Sequence, residues 1–143
     1  MIANLYVLMC KKSKEINSLW GPKLEDKIYE KLTGKVSLLC FNEEAVKDYD
    51  LYMSSTEGRY DITLFTNYVW LPSQEQLQEI YIKSINKSST NIKIKTILYA
   101  SRKMKSIYRH SDTIFTSIEQ LWLCLIMKEI FNQRWDGKNW ILI

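Results

Sequence analysis

One histidine, His110, stands in a chain of 143 residues, so a catalytic triad or a histidine-rich metal site cannot be assembled from this chain alone. Between Arg109 and Ser111, that lone ring reads as a surface side chain rather than an acid or base. Only four glycines occur, none in a cluster, which excludes a phosphate-cradling glycine loop. The three cysteines, Cys10, Cys40 and Cys124, are odd in number and widely spaced, so neither a disulfide framework nor structural zinc is supported. Each sits among apolar neighbours, as expected for buried thiols in a reducing compartment. No apolar run approaches the ~20 residues that span a bilayer. The apolar start, Met1 to Cys10, is followed rather than preceded by Lys11 and Lys12, the reverse of a secretory signal, and Leu8-Met9-Cys10 lacks the run a lipoprotein site needs. These absences imply a cytoplasmic, non-enzymatic protein with no cofactor.

What is present fits one α+β domain over residues 1–143, long enough for a substantial core. Aromatics make up 13% of the chain, and core packing and amphipathic rims are their ordinary roles. Apolar residues at Leu5, Leu8, Met9, Ile16, Leu19 and Trp20 predict a helix over about 2–20, ended by Gly21-Pro22. Two β-prone runs from Ile28 to Leu39 around Gly34 predict a hairpin. Residues 42–58 hold most of the acidic segment and end in loop composition, Ser54-Ser55-Thr56-Glu57-Gly58. A strand is expected from about Ile62 to Trp70, stopping near Pro72.

Two helix starts are marked by the same signature. Ser73-Gln74-Glu75-Gln76-Leu77 and Ser117-Ile118-Glu119-Gln120-Leu121 each place a hydroxyl three residues before a glutamine, the capping-box arrangement. The first predicts a helix over about 74–84 that buries Leu77 and Ile80. The second predicts a helix over about 118–132, apolar almost all round from Leu121 to Met127 and therefore the organising element of the core. Glu75 and Glu79 share a helix face, but acids in the first turns suit the helix dipole, and a solvated face explains them. Between these helices, Ile92 and Ile94 begin a strand-like alternation, while Leu98, Arg102, Lys105 and Tyr108 also fit a helix; a strand from Ile92 to Tyr99 is the expectation. After Asn132, Asp136-Gly137 predicts a two-residue hairpin turn with Asn139–Ile143 returning as a strand, its end tied down to keep Trp140, Ile141 and Ile143 from water. The small antiparallel sheet is expected to pack on the 118–132 helix.

Met9-Cys10-Lys11-Lys12-Ser13-Lys14-Glu15-Ile16, Trp70-Leu71-Pro72-Ser73-Gln74-Glu75-Gln76-Leu77-Gln78-Glu79 and Glu119-Gln120-Leu121-Trp122-Leu123, continuing through Met127-Lys128-Glu129 to Trp135-Asp136-Gly137 and Trp140, carry a resemblance. In these stretches the chain resembles a group of small proteins encoded by phages and prophages of Gram-positive bacteria. The likeness covers most of the chain apart from the acidic loop and residues 86–111. It implies provenance rather than activity, since the shared residues are largely cap, turn and core types with no catalytic set to transfer.

The remaining signal is charge. Residues 80–111 hold eight of the twenty basic residues and none of the sixteen acidic ones, so this segment carries +8 and the rest of the chain −4. Tyr81, Tyr99 and Tyr108 are interleaved, a composition that suits stacking on bases as well as packing on a protein. The plain alternative is a solvated face that keeps the protein soluble. Arg102, Lys103, Lys105, Tyr108 and Arg109 are the candidate partner-binding residues. The expected function is stoichiometric inhibition of a bacterial defence system such as CRISPR interference, the partner being a host defence protein or its nucleic acid. The alternatives are sequestration of a nucleotide signal, with Arg102 and Arg109 holding phosphate, and nucleic-acid binding. No membrane partner is implied, and an acidic loop meeting a basic segment of another copy would give a homo-oligomer.

Overall fold

The computed structural model of the chain describes residues 4–23, 25–39, 67–85 and 90–143, with side chains from residue 94 onward in the last stretch. The fold is α+β, and the chain divides into two compact units: Met1–Ser13 with Pro72–Ile143, and Lys14–Leu71. The acidic loop 42–58, Cys40 and the expected strand residues Ile62 to Phe65 lie outside the described residues.

In the first unit, α1 (Leu5–Lys12) opens on Asn4, whose side chain accepts from the Tyr6 amide, and closes on Lys11 and Lys12 at the negative end of its dipole. The expected single helix over 2–20 is interrupted. Ser13 is extended, at φ −94° and ψ 92°, and its buried hydroxyl donates to Met127 Sδ at 3.3 Å, so a long-range contact takes the residue out of the helical path. The Tyr6 hydroxyl donates to the Pro72 carbonyl at 2.6 Å. Tyr6, Val7, Met9 and Cys10 are buried, whereas Leu5 and Leu8 are only half-buried.

The two capping signatures produce two helices. At α3 (Gln74–Ile85), Ser73 Oγ accepts from the Gln76 amide and Gln76 Oε1 accepts from the Ser73 amide, a reciprocal box. At α5 (Ile118–Phe131), Ser117 Oγ accepts from the Gln120 amide, but Gln120 reaches one residue further back and accepts from the Thr116 amide at 2.7 Å. Ser73→Ala and Ser117→Ala are each expected to lower stability by ~1 kcal/mol, read as a shift in the urea midpoint. No change at either site would show that water replaces the hydroxyl there without cost.

α5 is buried from Trp122 to Met127 and packs against α1, α3 and the helix that precedes it, which makes it the centre of this unit. Asn132 ends it in the left-handed region at φ 56°, a conformation asparagine tolerates. β4 (Gln133–Trp135) then packs on α5 and pairs antiparallel with β5 (Trp140–Leu142). The connection is a four-residue loop, not the expected two-residue turn. Trp135 pairs with Trp140, Gly137 takes φ +103°, and Asp136 Oδ1 accepts from the amides of Lys138 and Asn139. These two bonds, that from Asn139 first, hold the Asp136 carboxyl below the usual carboxylate range. The Trp140 indole donates to the Met9 carbonyl and the Ile143 amide to the Asn132 carbonyl, yet the Leu142 and Ile143 side chains remain exposed.

In the second unit, α2 (Lys14–Ser18) is followed by a three-stranded antiparallel sheet in the order β2-β1-β3. β1 (Lys27–Glu30) is central and pairs with β2 (Lys35–Leu38) through the expected hairpin, whose Gly34 sits at φ +70°. β3 (Tyr68–Trp70) lies on its other side, with Ile28 opposite Trp70. Trp20 stacks on Trp70 with ring centres 6.4 Å apart, and its indole donates to buried Asp26.

Candidate functional site

Residues 90–110, expected as a strand at their start, form one helix, α4 (Thr90–His110). The stretch contains no glycine or proline, and its buried positions, Thr96, Ala100 and Met104, recur every four residues. The Ile92, Ile94 alternation is overridden by this stripe because it lets the helix pack on α5 and α3. Arg109 and His110 occupy the last turn, where the dipole favours cations, and His110 Nδ1 donates to the Ser106 carbonyl at 2.8 Å.

The opposite face of α4 is cationic. At about 100° per residue, Arg102, Lys105 and Arg109 fall within an arc of about 60°, and all three are exposed. Lys95 adjoins the same arc. The other two candidate residues do not: Lys103 lies on one flank and Tyr108 on the other. Lys103 Nζ sits 5.2 Å from the Tyr99 ring centre. Its ammonium is held above the ordinary lysine range chiefly by Tyr99 and also by the Glu129 carboxylate. Glu129 in turn accepts from Tyr81, whose hydroxyl is 2.5 Å away, so Tyr81, Glu129, Tyr99 and Lys103 link three helices. Of the interleaved tyrosines, Tyr81 is therefore core, while Tyr99 and Tyr108 are half-exposed. Leu98 and Ile94 are not among the candidate binding residues, since nothing in their strand-like spacing places them beside the cations. Both are exposed on the cationic face, with more than half of each side chain's surface in water.

A cavity of about 390 Å³ lies beyond the C-terminal end of α4. Its walls come from the last turn of α4, the segment 111–115, Cys124 and Lys128 one turn apart on α5, and the β4–β5 ribbon. Phe115, Ile107 and Trp135 supply apolar surface, and His110, Lys128 and Arg134 bring positive or titratable nitrogen. Burial pushes the Cys124 thiol up to about 12, so this cysteine is not an activated nucleophile at neutral pH although His110 and Asp112 line the same space. Among the described residues no group of three or more His, Cys, Asp or Glu side chains is placed to hold a metal, and no helix is long and apolar enough to cross a membrane. The cavity had no signal in the sequence beyond the Trp135-Asp136-Gly137 turn, because its walls come from four separate segments. Comparison of the chain with protein-family models, with curated proteins and with solved structures found no match.

Proposed function

We propose that the protein acts without catalysis, by stoichiometric binding through the solvent face of α4, and that its partner is a component of a bacterial defence system such as CRISPR interference. The observation that supports this reading most is the exposed arc of Arg102, Lys105 and Arg109, continued by exposed Leu98 one turn before Arg102, on a helix that carries no acidic residue. Cations next to exposed aliphatic side chains suit a protein-binding patch, where the cations steer encounter and the aliphatic side chains are desolvated on contact. The choice of a defence component rests on the resemblance to phage-encoded proteins, as does a host-cell cytoplasmic location. Nucleic acid or a nucleotide is the second reading, since the same arginines suit phosphate. Leu98 and Ile94, exposed one and two turns before Arg102 on the same side of the helix, favour a protein.

The triple variant Arg102→Glu, Lys105→Glu, Arg109→Glu is expected to abolish binding to a purified defence complex and to restore defence in cells. Each exposed change should alter stability by only about half a kcal/mol, so the variant stays folded. Lys103→Gln, on the flank, should bind close to the parent. A folded triple variant that still inhibits would exclude this face. Affinity for DNA or RNA that falls by orders of magnitude between about 50 and 200 mM salt, with no protein captured, would replace the protein partner by nucleic acid.

A further inference from the structure

Besides its buried stripe, α4 carries a second regular stripe along its open face. Lys95, Leu98, Arg102, Lys105 and Arg109 follow one another at alternating steps of three and four residues, the spacing of a coiled-coil seam, and all are exposed. At about 100° per residue they fall within an arc of about 80° and run ~21 Å along the axis. Ile94, also exposed, lies beside Leu98. The helix supplies no acidic residue of its own to balance the cations. We infer that this seam receives a second α-helix, antiparallel to α4, which brings carboxylates to Arg102, Lys105 and Arg109 and an apolar side chain to Leu98, given the reading above that this face binds a protein.

Spacing selects a helix over an extended peptide. A seam step averages ~5.3 Å along α4, whereas alternate side chains of a strand recur every ~6.7 Å, so a strand laid on the stripe would be out by about one whole step at its far end. A second helix keeps register along the full length. Charge selects an acidic one. A purely apolar helix would strip water from Arg102, Lys105 and Arg109 without pairing them, and the same face of a second copy would repel them. Carboxylates instead meet the two arginine forks in bidentate bonds. The polarity of the stripe sets the direction, because Ile94 and Leu98 occupy its N-terminal half and Arg102, Lys105 and Arg109 its C-terminal half. Acidic residues are favoured in the first turns of a helix, and antiparallel helices oppose their dipoles, so the partner's N-terminus lies beside Arg109.

The test is a titration of the full chain, followed by fluorescence anisotropy, with a labelled helical peptide of about 20 residues that has glutamates at the seam positions of its N-terminal half and leucine at the next. Its outer face is stapled so that a control with the seam residues in reverse order is equally helical. An unstapled version interrupted by proline is the second control. The first peptide should bind with a Kd below about 100 μM at about 0.1 M salt, and each control about tenfold weaker or worse. The triple variant Arg102→Glu, Lys105→Glu, Arg109→Glu should lose the glutamate peptide and gain one with lysines in place of the glutamates, which also shows that the variant is folded. Absence of binding by every peptide, equal binding of either control, or no gain of the lysine peptide by a triple variant that melts like its parent would overturn the inference. Tighter binding of a DNA duplex than of the peptide would overturn it too, as would self-association in sedimentation that the triple variant abolishes, which would place a second copy on the face. If the triple variant loses inhibition while no peptide binds the parent, only the helical partner falls; if it inhibits like the parent, the face itself falls.

Discussion

Replacing Trp122 by alanine should destabilise the protein by about 3–5 kcal/mol, the cost of emptying a fully enclosed aromatic site. Only 1% of the side chain is exposed, and its ring meets Tyr81 edge-on with centres 5.8 Å apart. The loss reaches beyond the cavity itself. Tyr81 carries the hydroxyl that Glu129 accepts, so a tyrosine released from its aromatic neighbour loosens the bond that ties α3 to α5. Since a domain of this size is stable by only about 5–15 kcal/mol, the variant should show a lower urea midpoint and a partly unfolded population at 37 °C. A Trp122→Ala protein that melts like its parent would contradict the central position of α5.

Raising the pH from about 9 to 12 should progressively unfold the protein. Burial raises the thiol of Cys124 from its ordinary value of 9.0 to about 12 and pushes that of Cys10 up further. In the unfolded chain both thiols ionise near 9, while in the folded chain they keep their protons. The unfolded state therefore binds fewer protons above that pH, and the stability present below 9 is lost as the pH rises through 9 toward 12. Each thiol contributes a slope of about 1.4 kcal/mol per pH unit. Tyr6 and Tyr81 act in the same direction at higher pH, both raised chiefly by burial. Urea midpoints measured at intervals across this range should fall steeply for the parent and less steeply for Cys124→Ala. A midpoint that stays level would place both thiols in contact with water.

Local signals explain which parts of the fold were readable. The helix starts at Ser73 and Ser117, the hairpin turn at Gly34 and the apolar body of α5 each depend on residues within a few positions of one another. The break at Ser13 depends on Met127, 114 positions away, and no local pattern announces it. The start of α4 departs from the expected strand because Ile92 and Ile94 alternate as strand residues do, whereas the stripe that decides the matter, Thr96, Ala100 and Met104, is polar, small and flexible by turns. The cationic face was visible as composition. That Arg102, Lys105 and Arg109 converge while Lys103 turns aside to Tyr99 follows only once the segment is known to be helical.

The discontinuity of the first unit bears on how the chain acquires its structure during synthesis. The Pro72 carbonyl that receives Tyr6, the Met127 sulfur that receives Ser13 and the Trp140 indole that reaches Met9 are made 66 to 131 residues after their partners in and beside α1. Until then Val7, Met9 and Cys10 have none of these neighbours to cover them. Contacts of such long range carry a large loop-closure cost and slow the final assembly, whereas the ribbon that follows α5 can form beside it at once. On the ribosome, α1 is thus an apolar segment awaiting its site until α5 and β5, more than a hundred residues further along the chain, have emerged.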